Sequence, residues 1–594
     1  FLSRHENDFL LTFKNIFYQI DLIDNSTKEE YTKTIIDNAS GQMHCGKLTA
    51  IMGPSGSGKT SLLNFLTGRI DFPQKSNHSG GLYLNCEEMN FDTIAYYSSY
   101  VMQDDVLFDV LTPYENIKFA CQLKKLVPEE TMEECVNEFL EDLQLTGCKN
   151  TKVGNAEKKG ISGGERKRTS IGIELISNSS LIFLDEPTSG LDSMTSLKIL
   201  SLVKRVAIEK NVMVCCTIHQ PSSNIFGMFD NLIIIEQGNI IFNDKPENII
   251  AHFNEVGKPL DEKSNPSDSF MRILEENAKD DDPRFFIDKY KGKREEINKK
   301  VEEFLSECKE ANNISNKLDN AAGFWEATSI LSKRSFLNVV RNPLLFQMRL
   351  WYTVIFSFMC ASCYWQLDKT TYDGITGILG YTFFIAVNLF MSLVFATILS
   401  FPVERAVFLR EYSSKLYGTT SYFLSKNLIE TPFVLIFTLI FVLITYYTTG
   451  LRDDGAGHFF IALAGYLIEA LAAQSLGYAI GILFSKVSYA IAVVNIIIMP
   501  FILFSGAMLN EGSLPDWIFW FKYASPMKYV IEIVNTNEFE DNEEITYSRG
   551  GNEFLKTLHY DLDIPKCFII LSIYTIALRV LALIMLKITV RKMG

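Results

Sequence analysis

The stretch Gly53-Pro54-Ser55-Gly56-Ser57-Gly58-Lys59-Thr60, directly after the apolar run Leu48–Met52, constrains this chain more than any other. A strand that ends in a glycine-rich loop and reopens as a helix, here Ser61-Leu62-Leu63-Asn64-Phe65-Leu66, turns backbone N–H groups and a helix N-terminus toward phosphates. Lys59 is placed to reach β- and γ-phosphates as a point charge, and Thr60 to offer its hydroxyl to Mg²⁺. The glycines leave room for a nucleotide.

Further along, the segment Tyr96–Met102 reads as a strand ending at Gln103, whose amide can bind a metal-bound water or the nucleotide. Thr112-Pro113-Tyr114-Glu115 is a helix start, with Thr112 as N-cap and Glu115 as its reciprocal partner, and a second helix is expected from Pro128 to about Leu143. Ser162-Gly163-Gly164-Glu165 opens another helix and provides a second anion-binding surface. Leu181–Leu184 is a buried strand that delivers Asp185, suited to hydrated Mg²⁺, and Glu186, suited to orient a water and take its proton. The strand-like run Val212–Thr217 leads to His219, placed either to contact a γ-phosphate or to serve structure.

Taken together and in this order, these residues resemble the nucleotide-binding domain of ABC transporters. The resemblance makes Gly53–Thr60 the Walker A loop, with Ser61 also facing the nucleotide, Gln103 the Q-loop and Ser162-Gly163-Gly164-Glu165 the signature. Asp185 and Glu186 become Walker B and its catalytic carboxylate, Ser189–Asp192 the D-loop and His219 the switch histidine. It implies ATP and Mg²⁺ as cofactors, with Thr60, Gln103 and Asp185 around the metal and Glu186, Gln103 and His219 in catalysis. It also implies that two domains close head to tail, so Ser162 and Gly164 act on the nucleotide of a partner chain.

The average composition, 47% apolar over 594 residues, hides two halves. From Leu344 onward come six runs long enough for helices of about 20 apolar residues, at 350–367, 375–400, 428–450, 459–484, 489–508 and 567–586. These runs argue strongly against a soluble ATPase of translation or repair, and a net charge of −14 makes nucleic acid a poor partner. Lys333, Arg334, Arg341 and Arg349 precede the first span, Arg405, Arg410, Lys415 and Lys426 lie between the second and third, and Lys587, Arg591 and Lys592 follow the last. The positive-inside rule therefore puts both termini and the nucleotide domain in the cytosol and the acidic segment 510–565 outside. Cys360 and Cys363 have C-x-x-C spacing but no other soft ligand nearby and read as packing residues.

A nucleotide domain (1–300), a linker with an amphipathic connecting helix (301–343) and a six-helix membrane domain (344–594) resemble the ABC subfamily G half-transporters, the White, sterol-exporter and multidrug-exporter group. Phe401-Pro402-Val403-Glu404-Arg405 and Ser421-Tyr422-Phe423-Leu424 carry the same resemblance. The fold class implied is an α/β P-loop NTPase followed by an all-α six-span domain, working as a homodimer or heterodimer, with the plasma membrane as the expected location. A central cavity would be lined by Asn388, Met391, Ser392, Asn495, Met499 and Ile502, residues that could equally be ordinary helix packing, with Ala507-Met508 as the plug above. Met391 stands where the multidrug members carry an aromatic clamp and Ala507-Met508 where they carry a leucine pair, which argues against multidrug export. Glu469, in mid-span, is expected either to make a structural hydrogen bond or to meet a substrate or proton. The function implied is ATP-driven export of a hydrophobic or amphipathic small molecule such as a lipid or sterol. The rival is an ATP-gated channel or membrane regulator on the same fold.

Overall fold

The computed structural model describes residues 9–23, 29–70, 76–155, 159–176, 179–261, 264–277, 284–307, 322–342, 346–484, 486–506, 517–542, 544–545, 551–558, 560 and 562–591. The chain forms two compact units. The first is Phe1–Gly323 together with Arg410–Tyr417, and the second is Phe324–Leu409 with Gly418–Met593.

The first unit holds two sheets. One is antiparallel, in the order β2 (Glu30–His44), β1 (Leu10–Ile23), β4 (Ser76–Leu84) and β5 (Glu87–Met89). The other runs β10 (Asn239–Asp244), β9 (Asn231–Glu236), β3 (Leu48–Met52), β8 (Met213–Thr217), β7 (Leu181–Leu184), β6 (Ser98–Val101), and all its pairings are parallel except β10 with β9. Strands β3, β7 and β8 are buried along their whole length, as expected for continuous apolar runs covered on both faces. The register Ile51↔Thr217, Leu184↔Cys216 and Val101↔Leu184 brings the C-terminal ends of β3, β8, β7 and β6 to one edge. That edge is where an open parallel sheet presents its loops to a ligand.

Two local readings need correction. Residues Phe91–Tyr97 are helical, because the Asn90 side chain caps the segment by accepting from the Thr93 N–H, so β6 begins only at Ser98. Pro128 to Thr131 form a turn closed by the Thr131 N–H on the Pro128 carbonyl, and the helix expected from Pro128 starts at Met132. The capping box at Thr112 and Glu115 is present with both reciprocal bonds. Helix Phe285–Glu307 runs across residue 300.

Glu236, at the end of β9, is buried at 2% exposure, and burial pushes its carboxyl up to about 7 from an ordinary 4.5, only partly offset by the Asn277 amide. The folded unit thus holds this proton more tightly than the unfolded chain, and stability is lost as pH rises from about 4.5 through about 7. Glu236→Gln is expected to add about 3 kcal/mol at pH 8 and little at pH 4.5. Thermal melts of the two proteins across that window check it, and parallel curves would refute it.

The second unit is helical. Each of the six predicted spans overlaps a helix, namely Gln347–Cys363, Tyr372–Ser413, Thr419–Thr449, Ala456–Leu483, Val487–Leu503 and Ile564–Arg591, although the first helix stops at Cys363, short of residue 367, and the fifth at Leu503, short of residue 508. The second, third, fourth and sixth are each long and apolar enough to cross a membrane, and Val487–Leu503 is a shorter apolar helix. Between the fifth and sixth, helix Pro526–Phe539 is buried almost throughout and packs on the fourth and sixth membrane helices. Cys360 is buried and Cys363 exposed, and no cluster of three metal-binding side chains occurs among the described residues.

Glu469 is fully buried in the fourth membrane helix, yet neither carboxyl oxygen has a hydrogen-bond partner among the described residues. Of the two expectations for it, the structural hydrogen bond is therefore not made among the described residues. One turn earlier on the same face, Gly465 packs against Val530 and Ile533, which offer no polar atom on their side chains.

Candidate functional site

The loop after β3 is shaped by close approaches that exclude side chains. Gly53 has φ +152°, and a Cβ there would meet the Ile235 carbonyl oxygen at 2.1 Å. Gly58, φ +102°, caps the helix Lys59–Leu66 without a side chain, and a Cβ there would lie 2.7 Å from the Ile35 carbonyl oxygen. Free backbone amides at this helix start suit phosphate oxygens.

Lys59 is buried, and its ammonium donates to the carbonyls of Gly53 at 2.9 Å and Pro54 at 2.8 Å. Burial pulls its pKa down, while the nearby carboxylates of Glu186 and Asp185 pull it back up. The Thr60 hydroxyl donates to Asp185 Oδ1 at 3.2 Å, so two oxygen ligands of the kind a hydrated hard cation takes stand side by side. Gln103 Nε2 donates to Glu186 Oε2 at 2.9 Å, and His219 Nε2 lies 3.3 Å from Ser55 Oγ. Four strand ends thereby gather Ser55, Lys59, Thr60, Gln103, Asp185, Glu186 and His219 into one site.

Ser162, Gly163 and Gly164 share no hydrogen bond with that group among the described residues. Ser162 N-caps helix Gly163–Leu175, its hydroxyl paired with Glu165, and Asp192 likewise caps helix Ser193–Lys210. Ser57 is buried with its hydroxyl unpartnered among the described residues, a donor aimed into the loop.

Three residues escaped the sequence reading. Thr217, at the end of β8, touches both Asp185 and the Glu186 backbone. Tyr100 donates to Asp185 Oδ2 at 3.3 Å. Lys167 donates to the carbonyls of Met102 and Gln103, bracing the base of the Gln103 side chain. A polar residue at the end of an otherwise apolar buried run was the only signal for Thr217.

In the second unit, the proposed cavity residues sit on two helices. Asn388, Met391 and Ser392 share one face of the second membrane helix. The Tyr352 hydroxyl donates to Asn388 Oδ1 at 3.2 Å, and the Ser392 hydroxyl bonds back to the Leu389 carbonyl. On the fifth, Asn495 is exposed and Met499 is 67% exposed, beside Ile496 at 72%, while Ile502 is half-buried. Ala507 and Met508 lie outside the described residues.

A family model described as ABC transporter matches residues 36–189, and models described as ABC-2 type transporter match residues 326–539 and 219–291. The chain is 30% identical to ABC transporter G family member 1 of Dictyostelium discoideum, over 99% of this chain and 86% of that protein. It is 32% identical to Protein white of Drosophila melanogaster over 94% and 84%, and 33% identical to ABC transporter G family member 6 of Arabidopsis thaliana over 86% and 73%.

Proposed function

Because the chain belongs to the G family of ABC transporters and is therefore an ATP-hydrolysing, multi-pass membrane transporter, we propose that it works as a dimer that exports a hydrophobic or amphipathic small molecule, of lipid or sterol type. The observation that carries the dimer is the division of the nucleotide site. Lys59, Thr60, Asp185, Glu186, Gln103 and His219 converge, whereas Ser162 and Gly164 share no hydrogen bond with them among the described residues and lie at a helix start whose cap is closed by the chain's own Glu165. A second copy supplying Ser162 and Gly164 would close the site over the γ-phosphate.

In this reading the loop amides bind the phosphates, and Lys59 leaves the Gly53 and Pro54 carbonyls to meet them. Thr60 and Asp185 would hold Mg²⁺, with Gln103 as a further candidate ligand, and the ion would supply charge neutralisation at the phosphates. Glu186, released from Gln103, orients the attacking water and takes its proton. His219 and Ser55 face the γ-phosphate side of the loop. Residues 1–300 form the nucleotide domain, 301–343 the connection and 344–594 the membrane domain. The basic residues flanking the spans support a cytosolic nucleotide domain, with the plasma membrane as location. The uncharged outward face of the fifth membrane helix, Asn495, Ile496 and Met499, supports an apolar cargo.

The chain alone, reconstituted in vesicles with the nucleotide domain outward, is expected to hydrolyse ATP and to drive a fluorescent sterol or phospholipid analogue inward against its gradient. The Lys59→Ala protein should do neither. Flux only down a gradient would replace export by a gated channel, and absence of turnover in well-folded protein would replace the homodimer by a pair of different chains.

A further inference from the structure

Thr217 is fully buried and ends β8, between the strand that carries the phosphate loop and the one that delivers Asp185 and Glu186. The Glu186 N–H donates to Thr217 Oγ1 at 2.8 Å, and Thr217 Oγ1 stands 2.6 Å from Asp185 Oδ1. A hydroxyl has one proton and two lone pairs. Since a backbone N–H can only donate, one lone pair of Thr217 is taken by Glu186 and its proton is left for the carboxylate. The chain of bonds therefore runs in one direction, from Glu186 N–H through the Thr217 hydroxyl to Asp185 Oδ1.

That direction matters for both neighbours. Glu186 sits at φ +43°, in the left-handed region that a residue with a Cβ avoids, and Pro187 after it disfavours the ordinary helical alternative. Its N–H anchored on Thr217 fixes this conformation. Asp185 has two other side-chain partners among the described residues, Thr60 at 3.2 Å and Tyr100 at 3.3 Å, both longer than the 2.6 Å bond from Thr217, which has the length of a charge-assisted hydroxyl–carboxylate bond.

We propose that Thr217 is a positioning residue that sets, through one hydroxyl, both the orientation of the metal-binding carboxylate Asp185 and the backbone of the general base Glu186. This rests on the roles given above to those two residues. A group that orients a metal ligand from behind changes metal affinity when it is lost, by about 10- to 100-fold in general. A merely structural threonine would alter melting temperature and leave metal affinity alone.

The test uses the full chain in lipid nanodiscs, with Thr217→Val, Thr217→Ser and Glu186→Gln. Mn²⁺ binding in the presence of ATP is titrated by electron paramagnetic resonance, ATP binding is measured in chelator, and kcat and KM are separated. Thr217→Val is expected to weaken Mn²⁺ binding by about 10-fold and lower kcat by about 10- to 100-fold, with metal-free ATP binding and KM nearly unchanged. Thr217→Ser, which keeps the hydroxyl, should restore both. If the valine protein melts below the wild type, Thr217→Ala removes the hydroxyl with less crowding and takes its place. Mn²⁺ affinity and kcat within about twofold of wild type in the hydroxyl-free protein would overturn the proposal. Turnover lost in Glu186→Gln but intact in Thr217→Val defeats the role of Thr217 alone, whereas turnover surviving in Glu186→Gln defeats the assignment of the base itself.

Discussion

Exchanging Glu186 for glutamine is expected to cut ATP turnover by about two to four orders of magnitude while ATP still binds. Glutamine has the same shape but its amide cannot accept the proton of the attacking water. The position of residue 186 is set by its backbone, at φ +43° with the N–H on Thr217, so the exchange should not move it. The contact from Gln103 Nε2 at 2.9 Å is to an oxygen that the amide retains, which leaves the resting site in place. None of the groups that cradle phosphate, the loop amides, Lys59 and Thr60, is touched. Phosphate release at saturating ATP, set against equilibrium binding of a fluorescent ATP analogue, separates the two quantities. Glu186→Asp provides a graded control: its carboxylate can take a proton but is withdrawn by one methylene, a displacement that costs about 100-fold where geometry limits the rate. Turnover equal to wild type in the glutamine protein would remove Glu186 from the chemistry, and loss of ATP binding would make it part of the cradle.

Much of this site could be read before any coordinates because its chemistry sits in consecutive residues at strand ends. Gly53–Thr60 encodes its own loop, and Asp185-Glu186 follows four buried residues with nothing to interrupt them. The parallel order β3-β8-β7-β6 then brings four such ends together, which local sequence cannot announce. Thr217 was hidden for that reason: its partners are 31 and 32 residues away, and a threonine in a β-strand excites no suspicion. Asn90 captured residues that look like a strand, since an N-cap outweighs the β preference of Tyr96 and Tyr97. The membrane helices were legible by length and apolarity. What packs inside them was not, and Glu469 is the plainest case: the sequence left a structural hydrogen bond and a substrate or proton contact both open, and only the packing shows that neither carboxyl oxygen has a partner among the described residues.

The same blindness to long-range pairing covers a buried ion cluster in the second unit, where the other large effect is expected. Lys426 Nζ lies 2.7 Å from Glu404 Oε2 and 2.9 Å from Glu430 Oε1, with the lysine side chain 2% exposed. Glu404 also accepts from the Tyr422 hydroxyl and the Asn338 amide, and Glu430 accepts from the Tyr478 hydroxyl. One ammonium thus serves two carboxylates and ties the helix Phe324–Arg341 to the second, third and fourth membrane helices. Lys426→Met deletes the shared cation and leaves the buried Glu404 and the half-buried Glu430 without it, a loss of about 3 to 5 kcal/mol. Glu404→Gln is milder, because Lys426 keeps Glu430 and the amide keeps a hydrogen bond, so about 1 to 3 kcal/mol is expected. Replacing all three charges by apolar residues of similar volume should cost less than Lys426→Met alone, since no unpaired charge remains. Thermal unfolding of the full chain in nanodiscs reads this ordering, with a fall on the order of 10 °C for Lys426→Met. Nucleotide binding below the transition should persist, because the first unit has its own core around β3, β7 and β8. Equal melting temperatures for Lys426→Met and Glu404→Gln would show that the two carboxylates do not depend on that lysine, and the cluster would then be three separate hydrogen-bonded groups.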